Sequence, residues 1–146
     1  MVTNVLIVED DEITISLVER AIRKYSFAEN ITIQRNGQEA LNYLALVAAQ
    51  EGNRVPDLIF LDVNMPVMNG WEFLDTFTIL SKEQFPNTCV CILSSSMDPA
   101  DKLKALSYSC VIDFLPQPLK AGNLKFLEQF FVQRKGIFES GTSNPA

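Results

Sequence analysis

The sequence predicts an α/β fold, a (βα)5 three-layer sandwich around a five-stranded parallel sheet, and two observations support this prediction. Short, mostly apolar runs, typical of strands that are buried on both faces, occur five times along the chain. Segments with apolar residues at helical spacing alternate with these runs. Strands and helices that alternate in this way build an open parallel sheet with helices on both sides, because the crossovers are right-handed.

The predicted strands are, in chain order, Val5–Val8, Ile31–Gln34, Leu58–Leu61, Cys89–Leu93 and Val111–Leu115. Apolar residues three or four apart predict the inner faces of the first three helices. These residues are Ile15, Val18, Ile22 and Tyr25; then Ala40, Leu41, Leu44, Val47 and Ala48; then Trp71, Leu74 and Phe77.

The last two helices are predicted from their end signals as well as from their spacing. Asp98 as a cap and Pro99 in the first turn predict a short helix over Ala100–Leu106. The fifth helix is predicted over Ala121–Gln133, with Gly136 ending it. Its inner face is formed by Leu124, Leu127 and Phe131.

The chain is expected to form one domain over residues 1–135 and a disordered C-terminal tail over residues 136–146. Gln50–Pro56 resembles an inserted loop. Because no output domain follows the fifth helix, we expect the chain to act through another protein.

Composition excludes several classes of function. The 146 residues are 47% apolar, which suffices for one buried core. The net charge is −6 and the 12 Lys and Arg residues are scattered, so we expect no direct binding to nucleic acid. No signal peptide is evident, and no apolar run approaches the roughly 18 residues of a membrane span. These features predict a cytoplasmic protein that does not bind membranes.

The three cysteines are an odd number and lie in apolar, strand-like contexts. We expect Cys89, Cys91 and Cys110 to be small buried residues in a reducing compartment. The spacing of Cys89 and Cys91 leaves a metal site as the alternative, although the chain offers no histidine as a further ligand.

Polar residues stand where four of the predicted strands end, and ligands of such sheets bind at this carboxyl edge. They are Glu9, Asp10 and Asp11 after the first strand, Asp62 and Asn64 after the third, Ser94, Ser95 and Ser96 after the fourth, and Gln117 and Pro118 after the fifth. Ser95 and Ser96 are expected to be polar loop residues.

The carboxylates of the first and third strands are expected to share one shallow pocket. Two such charges about 4 Å apart repel each other by roughly 4 kcal/mol at an effective dielectric constant of about 20. A hard divalent cation would offset this repulsion, and Mg²⁺ suits a site with few carboxylates and several waters. The alternative is that Glu9, Asp10 and Asp11 cap the next helix, which fits Asp11 well but gives no role to Asp62.

The sequence resembles the receiver domain of two-component response regulators over about Asn4–Gln133. The motifs that carry the resemblance are "VLIVEDD", "DLIFLDVNMPVMNGWEFL", "CILSSS" and "FLPQP". The resemblance implies a flavodoxin-like fold and a signalling module that is phosphorylated on Asp62. Because the chain has no histidine, the donor must be a phosphohistidine of a histidine kinase or phosphotransfer protein, or a small molecule such as acetyl phosphate. The output would pass to a downstream protein target.

The same resemblance implies a set of metal ligands. Asp10 and Asp62 would bind Mg²⁺ through their side chains, Asn64 through its backbone carbonyl, and Glu9 through a water molecule. Independently, an aspartate carboxylate can act as a nucleophile when metal and hydrogen-bond donors offset the charge of the phosphoryl group. Pro66 and Gly70 would shape the loop after Asp62.

Further roles that the resemblance implies concern the last two strands. Ser94 would hydrogen-bond a phosphoryl oxygen, and Phe114 occupies the position of an aromatic residue that changes rotamer on activation. For Ser95 and Ser96, an effect on phosphoryl-group lifetime is the alternative to a purely polar loop role. The bond before Pro118 is expected to be cis. Gln117 departs from the family, which places a lysine there. A neutral amide in place of an ammonium costs about 1 to 2 kcal/mol, or roughly tenfold in binding.

Other functions remain open from the sequence alone. Gln117 favours a binding-only receiver, whose output phosphorylation does not control, as the main alternative. Beyond self-phosphotransfer and autodephosphorylation we expect no enzymatic activity, since an Asp-x-Asp hydrolase would need an acid at Asn64. A flavoprotein would need a phosphate-binding loop where Glu9–Asp11 would repel the ligand. Phe126 and Phe130 are expected to be exposed for a partner or a homodimer, with a tail that folds over them as the alternative.

Overall fold

The computed structural model describes residues 1–50, 54–65, 67–96 and 98–143, and for residues 135–143 it describes only the backbone. Five strands and five helices alternate along the chain, as the sequence predicts. The strands are β1 Val2–Val8, β2 Ala28–Gln34, β3 Leu58–Leu61, β4 Cys89–Ser94 and β5 Val111–Pro116. The helices are α1 Glu12–Lys24, α2 Gly37–Ala49, α3 Gly70–Glu83, α4 Pro99–Leu106 and α5 Ala121–Ser143.

The five strands form one parallel sheet in the order β2-β1-β3-β4-β5. This is the predicted (βα)5 three-layer sandwich of the flavodoxin-like type. Neighbouring parallel strands end at the same edge of the sheet. For example, Val8 at the end of β1 pairs with Leu61 at the end of β3. The residues that follow β1 and β3 therefore emerge side by side.

The core has two halves, one on each face of the sheet. Alternate residues of β3 supply both halves, with Ile59 and Leu61 packing toward α2, α3 and α4, and Leu58 and Phe60 packing toward α1 and α5. All four β3 residues are buried, which explains why this strand reads as a continuous apolar run. The burial of β3 on both faces holds its last residue, and hence Asp62, in a defined position.

Most of the helix faces agree with the predictions, with three corrections. Ala48 is exposed and does not belong to the inner face of α2. Tyr25 is not an inner-face residue, since it follows α1 at its C-cap and is 44% exposed. Phe73 is fully buried and was not predicted, and it stacks on Phe77 at a ring-centroid distance of 5.5 Å. The predicted cap of α4 is confirmed, because the Asp98 side chain accepts a hydrogen bond from the Ala100 N–H.

The predicted end of the fifth helix is wrong. The helix passes through Gly136 and continues to Ser143, so residues 136–143 are helical in the structure. A glycine at helical dihedral angles costs only about 1 kcal/mol, which does not suffice to end a helix. Residues 144–146 of the predicted tail, residues 51–53 of the predicted loop, and Pro66 lie outside the described residues.

The remaining expectations concern the cysteines and membranes. Cys89 and Cys91 are buried, Cys110 is partly buried, and all three are free thiols, so the prediction of buried cysteines holds for the first two. Among the described residues, no helix combines the length and the apolar character that crossing a bilayer requires.

Candidate functional site

Three carboxylates meet at the carboxyl edge of the sheet. Glu9 and Asp10 follow β1, Asp62 follows β3, and these two strands are neighbours. One oxygen of each carboxylate lies within 4.8 Å of the oxygens of the other two. The structure therefore brings together the acids that the sequence placed on separate strands.

Glu9 is the buried member of this acid pocket, with 4% of its surface exposed. Its Oε2 accepts backbone N–H bonds from Asp10 at 3.0 Å and Asp11 at 3.4 Å. Burial, and then the hydrogen bond and the charge of Asp62, raise the pKa of Glu9 from 4.5 to about 8. The pocket thus holds a carboxyl group that is costly to ionise unless a positive charge is placed beside it.

Asp11 belongs to helix α1 and not to the pocket. Its Oδ2 accepts hydrogen bonds from the backbone N–H of Thr14 at 2.9 Å and from the Thr14 hydroxyl at 2.7 Å. These bonds lower the pKa of Asp11 below its ordinary value. The capping alternative is therefore correct for Asp11, whereas the positions of Glu9 and Asp10 beside Asp62 are not explained by capping.

The loop after Asp62 is packed tightly against the strand end. Asp62 Oδ1 accepts a hydrogen bond from the Asn64 N–H at 3.1 Å, and the Gly70 N–H donates to the Val63 carbonyl at 3.1 Å. A Cβ atom on Gly70 would lie 2.5 Å from the Val63 Cα and 2.7 Å from the Asp62 carbonyl oxygen. Only glycine permits this close approach of the loop to the backbone of Asp62 and Val63.

Val67 in the same loop has a φ of 71°, in the left-handed region that β-branched residues rarely adopt. Val67 is not among the residues predicted from the sequence. In the "MPVMNG" segment, Asn69 and Gly70 are the residue types that usually adopt a left-handed conformation, so the sequence favours them over Val67. Strained backbone in a loop that carries a candidate nucleophile is typical of functional sites.

Ser94 lies at the end of β4 with 1% of its surface exposed. Its hydroxyl donates to the Ser96 carbonyl at 2.6 Å and accepts from the Ser96 N–H at 3.1 Å. A serine hydroxyl has one proton to donate. The single Ser94 hydroxyl proton is therefore already used in the bond to the Ser96 carbonyl. Ser94 would have to break this bond in order to donate to a phosphoryl oxygen.

Gln117 and Phe114 lie on or beside β5. The Gln117 N–H donates to the Ser94 carbonyl at 3.0 Å, and its side-chain Nε2 makes a long contact of 3.5 Å with the Leu93 carbonyl. The peptide bond between Gln117 and Pro118 is cis, as predicted. The Phe114 ring is 2% exposed and belongs to the core half that includes Ala105 of α4.

The pocket fits a hard divalent cation. Its ligands are all oxygen atoms, and the pKa of Glu9 shows that the pocket disfavours a further uncompensated negative charge. Mg²⁺ takes oxygen ligands from one or two carboxylates and keeps several waters. Asp10 and Asp62, together with the Asn64 carbonyl and a water on Glu9, are the residues that would hold it.

Comparisons with known proteins identify the family. The family model described as "Response regulator receiver domain" matches residues 5–127. A crystal structure of a two-component response regulator from Cytophaga hutchinsonii is 34% identical, with a TM-score of 0.79, over 90% of this chain and 98% of that one. The probable methanogenesis regulatory protein FilR2 of Methanothrix harundinacea is 31% identical over 121 residues, which span 83% of this chain and 76% of that protein.

The chain belongs to the response regulator receiver domain family of two-component systems. It spans about half of some longer relatives. The transcriptional regulatory protein CitT of Halalkalibacterium halodurans is 28% identical over 134 residues, which make up 92% of this chain and 54% of that protein. Response regulators interact with kinases or phosphotransfer proteins and with downstream targets.

Proposed function

We propose that Asp62 accepts a phosphoryl group from a phosphohistidine of a histidine kinase or histidine phosphotransfer protein, in a Mg²⁺-dependent reaction. The proposal rests chiefly on one observation, the meeting of Glu9, Asp10 and Asp62 within 4.8 Å at the carboxyl edge of the sheet. Asp62 is the member that combines partial exposure with a carboxylate oriented by the Asn64 N–H.

In the proposed reaction an Asp62 carboxylate oxygen forms a bond to phosphorus while the bond from phosphorus to the donor nitrogen breaks. The electron pair of that bond stays on the imidazole nitrogen, which takes up a proton. Bound Mg²⁺ would offset the negative charge of the carboxylates and the phosphoryl oxygens. Ser94, once released from Ser96, would donate a hydrogen bond to a phosphoryl oxygen, and the Gln117 amide would donate a neutral one.

The output of the proposed switch passes through contacts with a downstream protein. Phe126 on α5 is 59% exposed and offers an apolar contact. Phe130 departs from the expectation of exposure, because it is half-buried against Phe131 at a centroid distance of 5.3 Å. A homodimer through this face, the absence of direct nucleic-acid binding and a cytoplasmic location remain part of the proposal. The domain boundary at residue 135 is likewise proposed.

Mass spectrometry of the intact protein tests the phosphoacceptor. After incubation with acetyl phosphate and Mg²⁺, the wild-type chain is expected to gain one phosphoryl group, and Asp62→Asn is expected to gain none. Asp101→Asn, a change of the same kind in the first turn of α4, serves as the control and should behave as wild type. A phosphoryl group that persists on Asp62→Asn would contradict the assignment of Asp62.

Gln117 favours a second candidate, the binding-only receiver. If phosphorylation controls the chain, Gln117→Lys should speed labelling by acetyl phosphate about tenfold, because an ammonium replaces a neutral donor. If the chain is binding-only, the downstream partner will bind wild type equally well with and without beryllofluoride, a phosphoryl analogue. That second result would favour the alternative over the switch.

A further inference from the structure

A cavity of about 420 Å³ opens at the amino edge of the sheet, opposite the acid pocket. Asp57 precedes β3 and Asp62 follows it, so the two edges lie about 16 Å apart along the strand. We call this space the amino-edge cavity. The residues of its wall that bear on a ligand are Val2, Asp57, Asn87, Phe131, Val132 and Arg134.

Arg134 is a half-buried cation in this wall with two neutral partners. Its Nη1 donates to the Cys89 Sγ at 2.7 Å, and its Nη2 donates to the Asn87 Oδ1 at 3.2 Å. Within the described part of the chain, no carboxylate forms an ion pair with Arg134. A guanidinium carries five N–H groups in a planar fork, so donors remain for a ligand with two acceptor oxygens.

Asp57 places a negative charge on the same wall. Its Oδ2 accepts a hydrogen bond from the Asn4 N–H at 2.9 Å, and its backbone carbonyl accepts one from the Cys89 N–H at 3.0 Å. Asp57 and Arg134 thus both contact Cys89, yet they form no ion pair with each other. The cavity therefore presents a negative and a positive charge at separate points.

This mixture of charges narrows the class of ligand. Glu128 adds a second carboxylate to the wall and lies 3.8 Å from the Met1 amino nitrogen. A simple anion would approach Arg134 against the repulsion of Asp57, and a simple cation would approach Asp57 against the repulsion of Arg134. A ligand that carries both charges on adjacent groups avoids both repulsions.

The wall also offers apolar side chains. Val2 is 5% exposed, Phe131 is half-buried against the same half of the core, and Val132 is 61% exposed. Pockets for small molecules span about 300 to 1,000 Å³, so this cavity suits a small ligand. An apolar group of that ligand would leave water when it contacts these side chains, which favours binding.

We propose that the amino-edge cavity binds a zwitterionic α-amino acid with an apolar side chain. The ligand carboxylate accepts hydrogen bonds from the remaining N–H groups of Arg134, and the ligand ammonium donates to Asp57. The ligand side chain packs on Val2 and Phe131. This site is separate from the acid pocket and does not rest on the proposed function.

Calorimetric titration of the full chain with L-leucine and three analogues tests the ligand class. Isocaproate is leucine without the ammonium, isoamylamine is leucine without the carboxylate, and glycine keeps both charges without the side chain. Leucine is expected to bind wild type saturably. Each analogue should bind about tenfold more weakly or worse, since it loses a charge-assisted hydrogen bond or a buried apolar group.

Two substitutions test the assigned contacts through ligand preference, which a merely structural role would not change in this way. Asp57→Asn keeps an acceptor for the Asn4 N–H and removes the charge, so leucine should lose its advantage over isocaproate but not over isoamylamine. Arg134→Gln should show the reverse pattern. Arg23→Gln on α1 and Asp101→Asn on α4 are the matched controls and should keep the wild-type preferences.

Amide NMR of the wild-type chain locates the site without any substitution. Leucine should shift the signals of Thr3, Asn87 and Arg134, and it should leave those of Asp62 and Ser94 unchanged. The inference is overturned if wild type shows no saturable binding of leucine, binds isocaproate equally well, or shifts only at the acid pocket. Wild-type preferences in Asp57→Asn or Arg134→Gln overturn it as well. Labelling of Asp62 by acetyl phosphate is decided independently of each of these results.

Discussion

Gly70 packs directly against the backbone of the candidate phosphoacceptor, Asp62. A side chain here would meet the backbone of Val63 and Asp62, which cannot move aside as a flexible side chain could. We expect Gly70→Ala to lower the free energy of unfolding by about 1 to 3 kcal/mol, as overpacking does, when measured in urea.

The matched control for this substitution is Gly122→Ala. No atom lies within 4 Å of the position that its Cβ would take, and the residue stands at the start of α5. Alanine is the better helix former by about 1 kcal/mol, so this variant should be neutral or slightly stabilised. Equal losses in the two variants would mean that close packing is not what requires glycine at position 70.

The raised pKa of Glu9 predicts how the stability of the protein depends on pH when no divalent cation is bound. Its folded-state pKa of about 8 lies above its ordinary value of 4.5, so the folded protein binds more protons than the unfolded chain between these values. Stability should therefore fall as the pH rises from about 5 to 8. Urea midpoints in chelator should show this fall in wild type and a flatter profile in Glu9→Gln.

Glu29→Gln is the control for the pH profile, because Glu29 is exposed on β2 and far from the acid pocket. This variant should retain the wild-type slope. A profile that remains steep in Glu9→Gln would assign the slope to other groups.

At the scale of secondary structure, the start of α3 is the element boundary that matters most for the site. Asn69 accepts a hydrogen bond from the Glu72 N–H at 2.9 Å, and the Glu72 side chain accepts from the Asn69 N–H at 3.3 Å. This capping box satisfies two N–H groups directly after the loop that carries Asp62. Removing it should loosen the helix end that bears Gly70 and Trp71.

We expect Asn69→Ala to cost about 1 kcal/mol of stability, measured by thermal or urea unfolding. Asn69→Asp keeps a side-chain acceptor and should lose much less. If Asn69→Asp loses as much as Asn69→Ala, the side-chain oxygen is not the stabilising group.

Helices were predictable where their signals are local, and α5 shows the limit of such signals. The α4 start followed from Asp98 and Pro99, whose effects act within one turn. Gly136 signals a helix end only when the chain adopts a left-handed conformation there, and no described glycine has a positive φ. Whether a glycine ends a helix or continues it depends on what packs around it, which local sequence does not reveal.

At the scale of the whole molecule, the acid pocket links metal binding to folding. The carboxyl groups of Glu9, Asp10 and Asp62 lie together only in the folded protein, so a cation that binds the pocket stabilises the fold. We expect Mg²⁺ to raise the unfolding temperature, by the equivalent of about 1.4 kcal/mol at a tenfold excess over its dissociation constant.

The stability difference between Asp10→Asn and wild type should change sign when Mg²⁺ is added. Without Mg²⁺ the variant should be at least as stable as wild type, because one repelling charge is gone. With Mg²⁺ wild type should become the more stable protein. Na⁺ at matched ionic strength is the control, and an equal rise with either salt would indicate screening and not a site.

The order of the elements, the parallel sheet and the candidate acids were predictable from the amino-acid sequence, because apolar periodicity and strand-end polarity are local properties of the chain. The sequence also identified Asp62 and Gln117 through motifs at strand ends. Three features became visible only in the folded chain: the burial and raised pKa of Glu9, the bond between Ser94 and Ser96, and the bond from Tyr108 to Asp75. These features depend on how segments distant in sequence pack together, and that packing sets the desolvation and the hydrogen-bond partners of each group.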